Sequence, residues 1–535
     1  MHQPLLRLDR LTRVFVLGAC LSAACVNSLH ATDYFLTIGG GYNPSGNQAS
    51  LEANVIFFDQ VLVEQHQGTR VRDVYFADGD DPGADLQVLV TNDAPATPPA
   101  TELLATLHRR RGEERLKYRN HHIPKVAGPL SPELIGDRLK AIAKTAKDGD
   151  RLFVYVTAHG SEGSQTDRHN TTIDCWNEKK ITARQFTRWL NEVPASIPVV
   201  MVMAQCYCGG FSHAMFHELD EKKGLAPQLR AGFFAQQHDL PAAGCRPDIR
   251  NDEEFSSYFW GAIAGRSRTG VPVTGCDIDG NGKVSLAEAY AHAVIAGHTI
   301  DIPLRTSDVL LRTYSRMPAT DREPPPGQSD DKSQPAREED SDAPPNPGRD
   351  RPSRPVLTGT LQSYIDQGRP VSGRIVTGLS QGLGFSLQDD VSTVVTAYET
   401  HRKNARRPGS GGRRRGGSGR RDLLQEVTEK WPELGDPDEW EKSPLLKLEN
   451  QEKLLAELHQ LPSWKRYDER QKQILEMSEQ AEQHELREVK FRRLISTLES
   501  IELAKHLEQV ATPEVVEHYR QLIRLEESEL GSTGR

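Results

Sequence analysis

The sequence predicts an α/β protein with a mostly parallel sheet and helices on both faces. Short, almost unbroken apolar segments recur between residues 33 and 317, and helical segments with one apolar face separate them. Strands without alternation of polar and apolar residues are typical of parallel sheets that are buried on both sides. The chain of 535 residues is too long for one ordinary core, so we expect further units or linkers beside this domain.

The strands of the predicted sheet are bounded by turn residues. The strands lie at 34–38, 73–77, 151–158, 198–204 and 230–235. Ser131 precedes a proline, which predicts a capped helix that runs to about residue 147, and Thr182 is placed to cap a helix that runs to 190. Each predicted helix connects two predicted strands, as expected for parallel pairing.

The N-terminus has the pattern of a signal peptide. Three arginines precede an apolar segment at 14–24, which is too short to span a bilayer. We therefore expect residues 1–31 to be removed on export to the periplasm, the cell envelope or the outside, with cleavage after Ala31 or Ser28. Cys20 and Cys25 each end a run of small residues, so a lipoprotein anchor is the alternative. We expect no other membrane-spanning segment.

Composition divides the rest of the chain. After the α/β domain at 32–317, residues 318–355 are acidic, rich in proline and nearly free of apolar residues, which predicts a disordered linker. Residues 356–400 form a small segment of unassigned class, and 401–421 form a second linker rich in Gly and Arg. Residues 422–535 have a helical pattern, and we expect them to support self-association or contact with a protein partner. The Gly/Arg run has no aromatic residue and the net charge is −9, so no nucleic-acid partner is indicated.

Two predicted strands end in a histidine and a cysteine. Residues 153–158 lead to His159 and Gly160, and residues 199–204 lead to Cys206. Because the carboxyl ends of parallel strands meet at one edge of the sheet, we expect these side chains to lie close together. An imidazole can take the thiol proton and later protonate a leaving amine. The backbone N–H groups of Gly160 and Cys206 are candidate donors to a developing oxyanion.

The pattern strand-His-Gly, followed 47 residues later by strand-Gln-Cys-x-x-Gly, resembles the caspase, legumain and metacaspase superfamily of cysteine peptidases. The resemblance covers about residues 33–316, and it includes residues 39–47, which are similar to the glycine-rich turn after the first strand of legumains. It implies a caspase-like fold, with Cys206 as the nucleophile and His159 as its acid/base partner. It also implies that an asparagine orients the histidine, and both Asn43 and Asn47 are candidates.

The remaining cysteines offer alternatives. The predicted mature chain keeps five cysteines, and an odd number leaves at least one thiol unpaired. Cys208 is the rival nucleophile, although the family pattern aligns Cys206 with that role. One residue separates these two cysteines, whereas the usual redox motif has two, so a thiol oxidoreductase is disfavoured and no redox cofactor is expected. Four residues after the next strand are candidates for a substrate pocket: Gln236, His238, Asp239 and Asp248.

Residues 277–288 fit the twelve-residue EF-hand calcium loop, with glycine at position 6 and glutamate at position 12. No entering helix is predicted, since residues 271–275 have an extended pattern, so the loop is half of a helix–loop–helix motif. We expect a structural Ca²⁺ bound by Asp277, Asp279, Asn281, Lys283, Ser285 and Glu288.

The sequence therefore predicts an exported cysteine endopeptidase that cleaves polypeptides through a thioester acyl-enzyme. The alternative is a catalytically silent caspase-like domain that acts as a binding or assembly module. A disulfide bond at Cys206 would favour the alternative, and a free thiol beside His159 would favour the enzyme.

Overall fold

The structure, a computed structural model, describes residues 31–89, 98–109, 116–248, 250, 252–315, 354–405 and 418–531. The strands are β1 Thr32–Gly40, β2 Thr69–Phe76, β3 Leu86–Leu89, β4 Leu116–Arg119, β5 Arg151–Ala158, β6 Thr172–Asp174, β7 Lys180–Thr182, β8 Val199–Met203, β9 Arg230–Phe234 and β10 Leu304–Arg305. The predicted signal segment up to residue 30 and most of both predicted linkers, at 316–353 and 406–417, lie outside the described residues.

The main sheet has six strands in the order β10-β9-β8-β5-β1-β2. All neighbouring pairs are parallel except β10 with β9, which is antiparallel. Every residue of β5, β8 and β9 is buried, so both faces of the sheet are covered at its centre. The predicted α/β class with a mostly parallel sheet is therefore confirmed. Two small antiparallel pairs, β3 with β4 and β6 with β7, lie outside this sheet.

The helices before the second half of the chain are α1 Ala49–Gln65, α2 Pro99–Leu107, α3 Pro132–Thr145, α4 Ala183–Leu190, α5 Phe255–Ala264, α6 Leu286–Ala296 and α7 Thr306–Tyr314. The side chain of Ser131 accepts a hydrogen bond from the Leu134 N–H, and Thr182 caps α4 in the same way. These contacts satisfy backbone donors that the first turn of a helix leaves without partners. Both predicted caps are confirmed.

The C-terminal region is helical, as predicted for 422–535, and the described residues from 361 to 405 are helical as well. Its helices are α8 Leu361–Gln367, α9 Pro370–Leu383, α10 Val391–Ala405, α11 Ser418–Lys430, α12 Gln451–His459, α13 Trp464–Val510 and α14 Pro513–Glu526. The segment left unassigned at 356–400 thus forms α8, α9 and most of α10. In the described part of the chain, no helix is both long enough and apolar enough to cross a membrane.

One hydrophobic core joins the sheet to the C-terminal helices. Phe35 and Val154 of the sheet belong to the same cluster of buried side chains as Leu494 and Leu498 of α13. Buried polar contacts add to this packing, since Ser307 Oγ donates to Glu526 Oε2 over 2.7 Å and Arg305 lies 3.6 Å from the same carboxylate. The helices of residues 354–531 therefore complete the core of the α/β part.

A second cluster joins α2 to the helices that precede α13. Leu104 and Leu107 of α2 pack with Leu423 of α11, Leu454 of α12 and Tyr467 near the start of α13. Gln451 Oε1 also accepts hydrogen bonds from the first backbone N–H groups of α2 over 3.2 Å. α13 thus contacts one cluster near its start and the main core near its end.

Candidate active site

The register of two neighbouring strands brings His159 and Cys206 to the same level. β5 pairs with β8 so that Val156 lies opposite Met203. His159 follows Val156 by the same number of positions as Cys206 follows Met203. The two residues therefore lie at the same level of the sheet. Both residues therefore lie just beyond the carboxyl edge of the sheet, where α/β proteins bind ligands.

Gly160 shows how closely the two strand ends approach each other. A Cβ atom at this position would lie 2.4 Å from the carbonyl oxygen of Cys206 and 2.7 Å from that of Thr172. These separations are far below a normal van der Waals contact, so a larger residue would push the two strand ends apart. Glycine at 160 is thus required by the space between the histidine strand and the cysteine turn.

Two acceptors hold the imidazole of His159. Its Nε2 lies 2.8 Å from the Gly46 carbonyl oxygen and 2.9 Å from Gln48 Oε1. Because oxygen atoms of this kind accept hydrogen bonds, Nε2 carries the proton and Nδ1 keeps a lone pair. Tyr42 also packs its ring edge-to-face with the imidazole, with ring centroids 5.1 Å apart. The histidine is therefore fixed in the tautomer that can accept a proton at Nδ1.

The two asparagines that were candidates for orienting His159 make their hydrogen bonds elsewhere. Asn43 Oδ1 accepts from the Gly46 N–H over 3.0 Å, and Asn47 donates to Asp85 Oδ2 over 2.8 Å and accepts from the Gly41 N–H. Neither of these side chains is hydrogen-bonded to the imidazole among the described contacts. Asn43 supports the histidine indirectly, since it shapes the turn that carries the Gly46 carbonyl.

The thiol of Cys206 lies against the backbone of a later loop. Its Sγ is 3.3 Å from the Ala242 nitrogen, which donates to it, and 3.7 Å from the Ala242 oxygen. The next residue, Tyr207, has φ of 59° and ψ of 14°, a left-handed conformation that turns the chain sharply before the 3₁₀ helix Cys208–Met215. The turn leaves Cys206 partly exposed while Cys208 is buried.

Burial keeps both members of the pair neutral near pH 7. It lowers the pKa of His159, although the hydrogen bond to Gly46 and the charge of Asp174 oppose this shift. Burial also raises the pKa of the Cys206 thiol, and the hydrogen bond from Ala242 opposes that shift in part. In the folded chain near pH 7, the Cys206 thiol and the His159 imidazole are therefore both neutral.

Two backbone amides are available beside the thiol. Among the described residues, neither the Gly160 N–H nor the Cys206 N–H donates to another residue, and the Cys206 amide favours the ionised form of its own thiol. Both belong to the pair of strand ends that bring His159 and the thiol together. Backbone donors at this position can stabilise negative charge on a carbonyl oxygen that approaches Sγ.

Three of the other described thiols, those of Cys175, Cys208 and Cys276, are buried, whereas Cys245 is partly exposed like Cys206. All five described cysteines are free thiols, so no disulfide bond blocks Cys206 in this part of the chain. Cys208 is buried and exchanges hydrogen bonds with the backbone of Gln236, and burial raises its pKa. Burial also raises the pKa of Cys245, whose Sγ lies 3.9 Å from the Ala158 oxygen. Cys206 is therefore the thiol best placed to react with an external group.

The four candidate pocket residues lie in different environments. Gln236 is buried, and its amide binds the carbonyl oxygens of Pro241 and Ile300. His238 packs on His169, Asp239 is exposed, and Asp248 lies 3.3 Å from Arg250. Gln236 thus connects the loop that contains Pro241 to the loop that contains Ile300. Its position in the sequence does not reveal this structural role.

Loop 297–303 connects this region to the C-terminal helices. Asp301 Oδ1 accepts from the Ala243 N–H over 2.7 Å, next to the residue that contacts the thiol. The guanidinium of Arg493 in α13 donates to the backbone oxygens of Asp301, Thr299 and Gly297. No pattern in the sequence identifies this arginine, because its partners lie almost two hundred residues away.

Three histidines cluster behind the cysteine turn. The rings of His169 and His213 stack with centroids 3.5 Å apart, and His238 meets His169 edge-to-face at 4.5 Å. Burial lowers the pKa of His169 to about 4, and neighbouring His238 and Arg168 add to this shift, while Asp167 and Asp239 oppose it. Burial likewise lowers the pKa values of His213 and His238. The folded protein therefore keeps this cluster neutral.

We expect the cluster to make the fold sensitive to acid. Its pKa values are lower in the folded chain than in the unfolded chain, so the unfolded state binds more protons as the pH falls below about 6.5. Above that pH the histidines leave the free energy of unfolding unchanged. It then decreases as the pH falls toward about 4, by roughly 2 kcal/mol for His169 alone after allowance for partial exposure. Urea unfolding between pH 7.5 and 4.5 measures this loss.

The comparison for this prediction is between the wild type and His169→Gln. Burial raises the pKa of Asp301 to about 6 and that of Glu526 to about 7, so these acids are easier to bury at low pH and act in the opposite direction. Both proteins share these acids, so the difference between their pH profiles isolates the histidine. Equal slopes below pH 6.5 would refute the assignment.

The predicted calcium loop brings three acidic side chains together. One oxygen each from Asp277, Asp279 and Glu288 lies within 4.8 Å of the others. Asp277 Oδ1 accepts from the Gly280 and Asn281 N–H groups, and the positive φ values of Gly280 and Gly282 allow this tight turn. The donor set fits Ca²⁺, which prefers carboxylate and carbonyl oxygens.

The other candidate ligands of this loop have mixed roles. Ser285 caps α6 and exchanges hydrogen bonds with Glu288. The side chain of Lys283 pairs with Glu529 over 2.7 Å, so only its backbone oxygen is suited to a metal. Asn281 Oδ1 accepts from the Lys283 N–H. The loop is thus attached to the end of the described chain, just after α14.

Comparisons with known proteins do not assign the chain to a family. No protein-family model and no curated protein sequence matches it. One solved structure, of a protein called GSU0716 from Geobacter sulfurreducens, aligns with 51% of this chain and 92% of that chain, with 10% identity and a TM-score of 0.29. A similarity at this level carries no functional information.

Proposed function

We propose that the chain is an exported cysteine endopeptidase in which Cys206 is the nucleophile and His159 the acid/base partner. The observation that carries the proposal is the placement of a free thiol and a tautomerically fixed imidazole at one level of two adjacent parallel strands. The caspase-like pattern of the sequence agrees with this placement. The substrate partner is accordingly a polypeptide.

The residues support an acyl-transfer mechanism. The Cys206 sulfur attacks the carbonyl carbon of the scissile bond, and its proton moves to His159 Nδ1, while Nε2 stays bonded to Gly46 and Gln48. The N–H groups of Gly160 and Cys206 donate to the oxyanion. The imidazolium then protonates the leaving amine, and a thioester remains. Water, deprotonated by His159, hydrolyses the thioester and regenerates the thiol.

The peptidase proposal is tested with a positional-scanning peptide library and two proteins, the wild type and Cys206→Ala. The wild type is expected to cleave a subset of peptides, and Cys206→Ala is expected to cleave none. Equal turnover by both proteins would end the mechanism. No turnover by the wild type on any peptide would favour the silent binding module instead, most strongly if the Cys206 thiol cannot be titrated.

The calcium loop is part of the same proposal, as a structural site. Asp277, Asp279 and Glu288 would hold the ion with Asn281, Ser285 and the Lys283 carbonyl. A bound cation would neutralise the mutual repulsion of the carboxylates. It would also fix the loop before α6, which contacts the chain after α14 through Lys283 and Glu529. No step of the peptidase mechanism requires it.

We expect calcium to stabilise the folded chain. At 10 mM Ca²⁺, a site with the affinity of extracellular modules contributes about 1.4–2.7 kcal/mol, and the melting temperature should rise by roughly 1–4 °C. Asp279→Asn should lose most of this rise, because it keeps the shape of an exposed ligand but removes its charge. Asp366→Asn, at an exposed site in α8, is the matched control. A rise that is the same in Asp279→Asn would contradict the site.

Export is the remaining element of the proposal, and it depends on residues 1–31. N-terminal sequencing of the mature protein from its natural host is the direct test. A mature chain that begins at Thr32 or Leu29 supports a signal peptide, one that begins at a lipid-modified Cys20 or Cys25 supports a lipoprotein, and one that begins at Met1 contradicts export.

A further inference from the structure

The middle of α13 is exposed in the described chain. Every residue from Gln471 to Gln483 is exposed, on all sides of the helix, over a length of about 20 Å. On either side of this stretch the helix is anchored, because Tyr467 belongs to the second cluster and Phe491 to the main core. A bare helix of this length is only marginally stable in water, since helices in proteins gain most of their stability from packing of one face.

This bare stretch carries apolar side chains on one face. Ile474 is 43% exposed, Leu475 61% and Met477 57%. Ile474, Met477 and Ala481 follow the spacing i, i+3, i+7, which places them in one stripe, with Leu475 at its margin. Single exposed apolar residues are common, but a stripe at helical spacing is the pattern of a helix that packs against another helix.

The charges on either side of the stripe have opposite signs. Residues 465–472, before the stripe, carry four basic and two acidic side chains, whereas residues 482–488, after it, carry three acidic and one basic. Arg470 precedes the stripe on its own face by one turn, and Glu485 follows it by one turn. Two copies of this stretch are therefore complementary in charge when they lie antiparallel to each other.

We propose that this stretch of α13 is a dimerisation surface, and that its partner is the same stretch of a second copy in antiparallel orientation. A two-fold axis near Met477 and Ser478 places Arg470 opposite the partner's Glu485 and Ile474 opposite the partner's Ala481. Parallel pairing in register would instead set each glutamate against its own copy, which is repulsive. The charge pattern thus selects both the partner and its orientation.

The small area that this helix pair can bury limits the affinity of the proposed dimer. A helix pair of about 20 Å buries less surface than standard protein interfaces, which bury about 1,600 Å². The dimer should therefore form reversibly, with a dissociation constant in the micromolar range. It does not depend on the peptidase proposal, because none of these residues belongs to the active site.

Sedimentation velocity of the full chain over a range of concentrations tests the proposal. The wild type should shift from monomer to dimer, and Ile474→Glu should remain monomeric. Arg470→Glu and Glu485→Arg, each alone, should weaken the dimer at least about tenfold, since each replaces two attractive pairs by repulsive ones. The double variant should recover the wild-type dissociation constant to within about threefold.

Two controls complete this design. Leu448→Glu replaces an apolar residue that is 77% exposed outside α13 and should leave dimerisation unchanged. Ser478→Cys lies near the proposed axis and should give a disulfide-linked dimer on mild oxidation, whereas the wild type should not. A wild type that stays monomeric up to about 100 μM, or a double variant that fails to recover association, would overturn the proposal.

Discussion

Replacement of His159 by glutamine is expected to reduce kcat for peptide hydrolysis by about 10²–10⁴-fold, which is the usual contribution of a general acid/base. A glutamine amide can still donate to the Gly46 carbonyl, so the surrounding turn is kept. It offers no nitrogen that can take the thiol proton. Because burial raises the pKa of Cys206, the variant has no efficient route to the thiolate near pH 7.

The measurement for this variant is kcat and KM on the best peptide from the library, with alkylation of Cys206 followed across pH. We expect KM to change little and the alkylation rate to rise only as the thiol ionises by itself at high pH. His122→Gln replaces an exposed histidine and is the matched control, with activity unchanged. Activity of His159→Gln within threefold of the wild type would show that the imidazole takes no part in the reaction.

Replacement of Arg493 by methionine is expected to lower the free energy of unfolding by about 3–5 kcal/mol, as for other buried charges whose partners are left behind. Arg493 is 2% exposed and donates hydrogen bonds to four backbone oxygens and the Thr299 hydroxyl. Methionine fills similar space but leaves these acceptors unpaired. Urea unfolding at pH 7.5 measures the loss.

Two further variants refine this prediction. Arg493→Lys keeps the charge but lacks the planar fork of donors, so it should fall between the wild type and Arg493→Met. Arg492→Ala, at the neighbouring and partly exposed position, should cost less than about 1 kcal/mol. A loss below 1 kcal/mol for Arg493→Met would contradict the prediction. Because Asp301 links this region to Ala243, faster alkylation of Cys206 in Arg493→Met would show that the helix also steadies the loop beside the thiol.

The sheet was predictable because its strands are encoded locally. The unbroken apolar segments that precede His159 and Cys206 became β5 and β8, with bounds within one residue of those predicted. The short strands β3 and β4 were missed because strands of four residues, mostly not buried, leave no clear periodicity. Helix α2 was missed as well, since its apolar face is covered only by residues more than three hundred positions later.

The site was predictable in part for the same reason. The pair of His159 and Cys206 follows from the ends of parallel strands, so their positions can be inferred from the strands alone. The acceptors of the imidazole could not be inferred, since Gly46 lies 113 positions away and its carbonyl is aimed by a local turn. The resemblance to legumains indicated an asparagine in this turn, whereas the contacts come from a main-chain carbonyl and a glutamine.

The carboxylate of Glu526 bears on how fragments of this protein should be designed. It reaches the amino end of α7, where it accepts from the N–H and the hydroxyl of Ser307 and lies beside Arg305. A recombinant product that stops at residue 315 would lack Glu526 and the C-terminal side chains that share the main core with Leu310 and Tyr290, and it would expose these residues to water. Crystallisation or kinetic work on the sheet alone would therefore start from an incomplete molecule, and residues 31–531 are the shortest span that retains every contact described.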